Sequence, residues 1–140
     1  MNTIKRNVVA VIMVCCMCLG LAGAVADVNI TSDSGSILVA GHTFELNAST
    51  GLVRYDASVT AVSGVSSVYV ATVIQRKVNG SWVDVPGSFN SDTQSSNYAI
   101  AGGQWYVEKG YWYRTENTFI AYKNGVQTKK VIASDMEWYN

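Results

Sequence analysis

Cysteine is confined to the start of the chain, where Cys15, Cys16 and Cys18 are the only three. The 140 residues hold one proline and one histidine, and charged side chains make up only 14%. Each scarcity excludes something. Ten basic residues balanced by ten acidic ones give no basic footprint, so nucleic acid is not an expected partner. A lone His42 cannot build a zinc site without cysteines or several carboxylates. A hydrophobic content of 49% is too high for a disordered chain. The length allows one domain.

What is present begins with an address. Lys5 and Arg6 are followed by an uncharged apolar run from Val8 to Leu21, then by small residues ending in Ala24-Val25-Ala26. A positive start, an apolar stretch and an A-x-A site predict a secretory signal peptide over residues 1–26. Cleavage is expected after Ala26, with Ala22-Gly23-Ala24 as the second choice. The alternative is an uncleaved anchor, because Val8 to Ala26 is 19 uncharged residues, just about enough to span a bilayer. A membrane would be met only in that way. No lipoprotein pattern precedes the cysteines. The expected location is outside the cell, secreted or on its surface.

Cleavage would leave residues 27–140. Losing Lys5 and Arg6 from ten basic residues leaves eight against ten acidic, and every cysteine is lost. Such a chain has no disulfide to rely on, and its stability must come from a packed core.

The rest reads as strands. Val, Thr, Ser, Tyr, Trp and Gly dominate, and short alternating runs end in turn signals. Residues 27–41 form a polar leader with room for an edge strand. Runs over 36–40 and 42–48 are separated by Gly41. Further strands are expected over 52–62, 68–78, 81–85, 98–107, 111–123 and 126–134, with 88–97 a polar loop or ragged edge. Gly102-Gly103 suggests a bulge or bend. Asn79-Gly80 and Asn124-Gly125 are hairpin signals, because type I′ turns need positive φ at both central residues. Residues 136–140 look like an aromatic tail. Roughly seven or eight short strands at this spacing predict an all-β, two-sheet sandwich over 42–135.

A two-residue turn at Asn79-Gly80 pairs Val78 with Ser81, Lys77 with Trp82, Arg76 with Val83 and Gln75 with Asp84. One face then carries Val68, Val70, Ile74, Val83 and Val85 and is the expected core face. The other carries Tyr69, Gln75, Lys77, Trp82 and Asp84. In the second hairpin, Tyr111, Tyr113, Phe119 and Ala121 share a side with the polar Thr115 and Asn117. A bulge near Asn117 or Thr118 would explain that mixture.

Val107-x-Lys109-Gly110-x-x-Tyr113-x-Thr115 resembles the tyrosine corner of immunoglobulin-like and fibronectin type III-like sandwiches. By that resemblance, Tyr113 hydrogen-bonds the preceding loop. More broadly, residues 52–133 resemble a family of small secreted proteins of Gram-positive bacteria with no assigned function. The shared pattern is Gln75-Arg76-Lys77, Asn79-Gly80-Ser81-Trp82, Gly110-Tyr111-Trp112-Tyr113-Arg114 and Lys123-Asn124-Gly125. It implies the sandwich fold and brings no catalytic residues. Thr115 and Asn117 stand where Val or Leu is usual.

Candidate chemistry is sparse. There is no G-x-S-x-G elbow to join His42 in a triad, so a surface residue at a strand edge is the plain reading of that His. Glu108 and Glu116 flank the aromatic strand and are the best-placed carboxylate pair for a hydrolase, yet solvated strand-end acids explain them more simply. Asp33-Ser34-Gly35 and Asp135-Met136-Glu137 are too sparse for a calcium loop. No cofactor, metal or catalytic residue is expected.

The aromatic excess is the remaining signal: Trp82, Trp105, Tyr106, Tyr111, Trp112, Tyr113, Trp138 and Tyr139. If the two hairpins share a sheet and Tyr113 points inward, an outer face gathers Tyr69, Trp82, Trp112 and Tyr122 with Lys77 and Arg114. Such a face can stack on sugars or seat a protein. The plain alternative buries half of these rings and lays the rest against Lys77 and Arg114. The sequence thus favours a non-enzymatic binding module for cell-wall polysaccharide or another surface protein. A small secreted effector such as a bacteriocin or toxin is the alternative, with a hydrolase behind it.

Overall fold

The computed structural model describes residues 29–140. The signal segment over 1–26, its cleavage after Ala26 and the three cysteines lie outside the described residues. These form ten strands and no helix: β1 (Asn29–Ser34), β2 (Ile37–Asn47), β3 (Leu52–Ala61), β4 (Ser67–Val78), β5 (Ser81–Asp84), β6 (Asn90–Gln94), β7 (Tyr98–Tyr106), β8 (Tyr111–Lys123), β9 (Val126–Ala133) and β10 (Glu137–Tyr139). They build two antiparallel sheets. One has the order β1-β2-β3-β7, the other β10-β8-β4-β5. In the second, β5 and β6 share one side of β4, and β9 and β10 share one side of β8.

The hairpins follow from local chemistry. Asn79 and Asn124 adopt φ of 50° and 51°, with positive φ at Gly80 and Gly125 as well, which suits the right-handed twist of the flanking strands. The register at Asn79-Gly80 is the one turn chemistry predicts, from Val78↔Ser81 to Gln75↔Asp84.

Several expectations are corrected. Gly41 does not divide β2, because the run on either side keeps one alternation and pairs continuously with β3 from Val39 to Asn47. That continuity turns His42 inward, where it is 2% exposed, so it is not a surface residue. The polar leader supplies β1, which pairs with β2. Gly102-Gly103 makes no bulge, and β7 pairs with β3 without a shift. Glycine is required at 102 because a Cβ there would lie 2.4 Å from the Tyr55 carbonyl oxygen. Val83 faces the inner side but is 46% exposed, since β5 is a short edge strand paired only with β4. The aromatic tail forms β10 against β8.

β8 also lacks the expected bulge. Its alternation runs unbroken, and its pairing with β4 is continuous from Ser67↔Tyr122 to Arg76↔Tyr113. Thr115 and Asn117 are simply buried. Thr72 Oγ1 donates to Asn117 Oδ1 at 2.7 Å, and Asn117 Nδ2 donates to Thr115 Oγ1 and to the Ile132 carbonyl, each at 3.2 Å. A buried polar group with partners of this kind escapes most of its desolvation penalty.

These residues and His42 form a polar belt across the sandwich. One apolar cluster lies on one side of it, with Ala40, Val59, Val68, Val70, Phe119 and Ala121. The other holds Phe44, Leu46, Val53, Tyr55, Ile74, Tyr113 and Tyr139. Both draw on the two sheets, which therefore pack face to face. The second cluster fixes the end of the six-stranded sheet on which the aromatic patch sits.

Candidate functional site

Strand pairing places side chains on faces, and opposite partners project to the same side. On β8 the inward set is Tyr113, Thr115, Asn117, Phe119 and Ala121. Trp112, Arg114, Glu116, Ile120 and Tyr122 are thereby outward. On β4 the outward set is Tyr69, Ala71, Val73, Gln75 and Lys77. The hairpin through Asn79-Gly80 adds Trp82 opposite Lys77 and Asp84 opposite Gln75. Both hairpins lie in one sheet, so one outer face gathers them all.

Trp82, Lys77, Trp112 and Arg114 come together at one end of this face. Arg114 reaches across β4, and its Cζ sits 4.2 Å from the centroid of the Trp82 ring. Lys77 Nζ lies 5.7 Å from the same ring. Arg114 Nε donates to Gln75 Oε1 at 3.0 Å, and Gln75 Nε2 donates to Asp84 Oδ1 at 3.0 Å. Gln75 is only 7% exposed despite facing outward. The row Asp84–Gln75–Arg114 thus orients the guanidinium over the indole.

The other half of the patch is aromatic. Trp138 pairs with Trp112 across β10 and β8, and the rings lie 5.7 Å apart between centroids, tilted by 53°. They stay 40% and 45% exposed for Trp112 and Trp138 respectively. The sequence alone places Trp138 in the aromatic tail, outside the expected outer face. Its signal was the adjacent Trp138-Tyr139 pair, too short to show a period. From Trp138 across β8 and β4 to Trp82 the patch spans three strand spacings, about 14 Å.

Tyr69 and Tyr122 share the face but not the site. Tyr69 pairs with Ile120, and Tyr122 with Ser67, at the far end of the sheet. The eight residue steps from Tyr69 to Lys77 correspond to about 26 Å of strand.

Of the remaining aromatics, Tyr113 is buried and donates its hydroxyl to the Glu108 carbonyl at 2.7 Å. Burial pushes its phenol above the usual tyrosine range, partly offset by the Arg76 charge. Tyr111 packs edge-on to Tyr113 under the Arg76 guanidinium. Tyr139 is buried with Lys109 over its ring. Trp105 lies against Gly87, away from the patch.

The acidic candidates are separated by the sheet. Glu108 is bound to Arg76 Nη1 at 3.0 Å, and Arg76 alternates inward on β4. Glu116 is on the outer face. Glu137, opposite Tyr113, has its carboxyl pushed above the usual range by burial first and by the Glu45 charge second. Among the described residues, no group of three or more His, Cys, Asp or Glu side chains could hold a metal ion.

Comparison with protein family models, with characterised proteins and with solved structures finds no match to this chain.

Proposed function

We propose that the protein is a non-enzymatic extracellular binding module that takes cell-wall glycan on the outer face of its six-stranded sheet. The observation that carries this reading is the exposed Trp112–Trp138 pair beside a Trp82 ring capped by Arg114 and Lys77. Sugar rings present apolar faces and polar edges, which suits a flat aromatic platform bordered by hydrogen-bonding groups. Contiguous exposed aromatic surface of this kind marks interaction sites.

The fold identity we propose is immunoglobulin-like, close to fibronectin type III. In support, β2-β3-β7 faces β9-β8-β4-β5, and the Tyr113 hydroxyl bonds the backbone a few residues upstream, in the manner of a tyrosine corner. The signal-like residues 1–26 support export, and the pattern from 52 to 133 supports membership among small secreted proteins of Gram-positive bacteria.

The test is retention of residues 27–140 on isolated cell walls. Trp82→Ala with Trp112→Ala should abolish retention and leave the melting temperature nearly unchanged. A melting temperature many degrees lower, with no wall retention by the unaltered protein, contradicts the reading. Retention lost when the walls are treated with protease would assign the surface to a protein partner instead.

A further inference from the structure

We infer that the glycan is acidic, and that Arg114 and Lys77 over Trp82 form its oxyanion subsite. This rests on the binding reading above and adds the chemical class of ligand.

The argument starts from charge. The ion pairs found among the described residues are Arg76–Glu108 at 3.0 Å and Arg54–Glu45 at 3.8 Å. Neither Lys77 nor Arg114 takes part. Both cations lie against one indole ring. One nearby acid, Asp84, is bonded to the Gln75 amide rather than to either cation. Glu116 stands two residues from Arg114 on the same outer face, so two acids accompany the two cations, and neither acid forms an ion pair with Lys77 or Arg114.

Geometry adds to charge. Arg114 spends its Nε on a neutral acceptor, Gln75 Oε1. A guanidinium carries five N–H donors in a rigid fork that matches a carboxylate or phosphate oxygen pair. Four of those donors remain. The fork is held in place by the indole beneath and the amide beside it, so little rotamer freedom is lost when an anion arrives. Lys77 adds a mobile ammonium to the same ring. The half-buried position of Arg114 lowers the local dielectric and strengthens a charge-assisted bond beyond its value in open water. Trp112 and Trp138 then stack an adjoining neutral ring. Stacking and anion capture are thus divided between two halves of one patch.

Carboxylate groups of uronic sugars and phosphodiester groups of phosphorylated glycans share this chemistry. Binding of the secreted chain to polygalacturonate, to a phosphomannan and to neutral mannan separates them. The unaltered protein is expected to bind at least one acidic polymer about tenfold tighter than neutral mannan, with affinity falling as salt rises from about 50 to about 500 mM. Preference for polygalacturonate assigns a carboxylate, and preference for phosphomannan a phosphate. Lys77→Gln with Arg114→Gln should reduce acidic-polymer affinity about tenfold and remove its dependence on salt. Arg114→Lys, which keeps the charge, should recover part of the loss, and an unchanged melting temperature certifies the fold. Equal affinity for neutral and acidic polymers, insensitive to salt, overturns the oxyanion subsite and leaves the glycan reading standing. Retention on none of the polymers and on no cell wall overturns both. Single-stranded DNA bound as tightly as the acidic polymers also overturns the inference, because the patch would then read charge and stacking without sugar.

Discussion

Thr72 and Asn117 meet across the two central strands of the six-stranded sheet, the Thr72 hydroxyl donating to the Asn117 amide oxygen at 2.7 Å in the buried interior. Strand alternation turns both side chains inward, between the Val70–Phe119 layer and the Ile74–Thr115 layer. Asn117 also holds the Ile132 carbonyl on β9 and the Thr115 hydroxyl. One polar side chain thereby links β4, β8 and β9 inside a core that has no covalent cross-link among the described residues.

Thr72→Val should cost about 1–3 kcal/mol, because it leaves the Asn117 oxygen buried without its donor. Thr72→Val combined with Asn117→Val should cost less than the two single changes added, since the second removes the orphan created by the first. Chemical denaturation of the four variants measures the coupling. Strict additivity would contradict the linked network.

Tyr113→Phe removes only the hydroxyl that binds the Glu108 carbonyl. The expected loss is about 1 kcal/mol, because the ring keeps its burial in the core. A thermal melt that does not move would show that the loop before β8 holds its shape without this bond.

Gly102 and Gly103 are adjacent and should respond oppositely. A Cβ at 102 would sit 2.4 Å from the Tyr55 carbonyl oxygen and 2.7 Å from the Asp56 Cα, both backbone atoms. At 103 the nearest atom is 3.5 Å away, an ordinary contact. Gly102→Ala should therefore cost more than about 3 kcal/mol or prevent folding. Gly103→Ala should stay within about 1 kcal/mol of the starting protein and can stabilise it by restricting the unfolded chain. Equal effects at the two positions would refute the close approach of β7 to β3.

The raised Glu137 carboxyl predicts a pH dependence. Burial and the Glu45 charge favour its neutral form in the fold. The folded state then keeps a proton that the unfolded chain gives up at lower pH. The associated stability is fully present below the unfolded value and is lost as pH rises through the folded one. Glu137→Gln should raise the denaturation midpoint near pH 7, with a smaller effect near pH 4. A variant that is less stable at neutral pH would reverse the sign and contradict the account.

Much of the sheet carrying the candidate site was legible from turn chemistry. Asn79-Gly80 admits one tight hairpin, and the pairing of Lys77 with Trp82 follows from counting outward. The outer set on β8 followed in the same way from Tyr113 pointing inward. Three things were not legible. The polar pair Thr115 and Asn117 argues for a bulge, whereas Thr72 and the Ile132 carbonyl, distant in sequence, supply partners to Asn117, which in turn bonds the Thr115 hydroxyl. Trp138 lies on a three-residue strand, too short for alternation to register. Tyr69 and Tyr122 show that a shared face is not a shared site, since residues on one strand face can stand several turns of the pleat apart.

The most direct measurement is the response of the four indole N–H signals in a nitrogen-correlated NMR spectrum as polygalacturonate, phosphomannan or solubilised cell-wall glycan is added. The account predicts shifts at Trp82, Trp112 and Trp138, which line the patch, and none at Trp105, which packs on Gly87. Shifts confined to Trp105, or no shift at any of the four with any of these ligands, would contradict it.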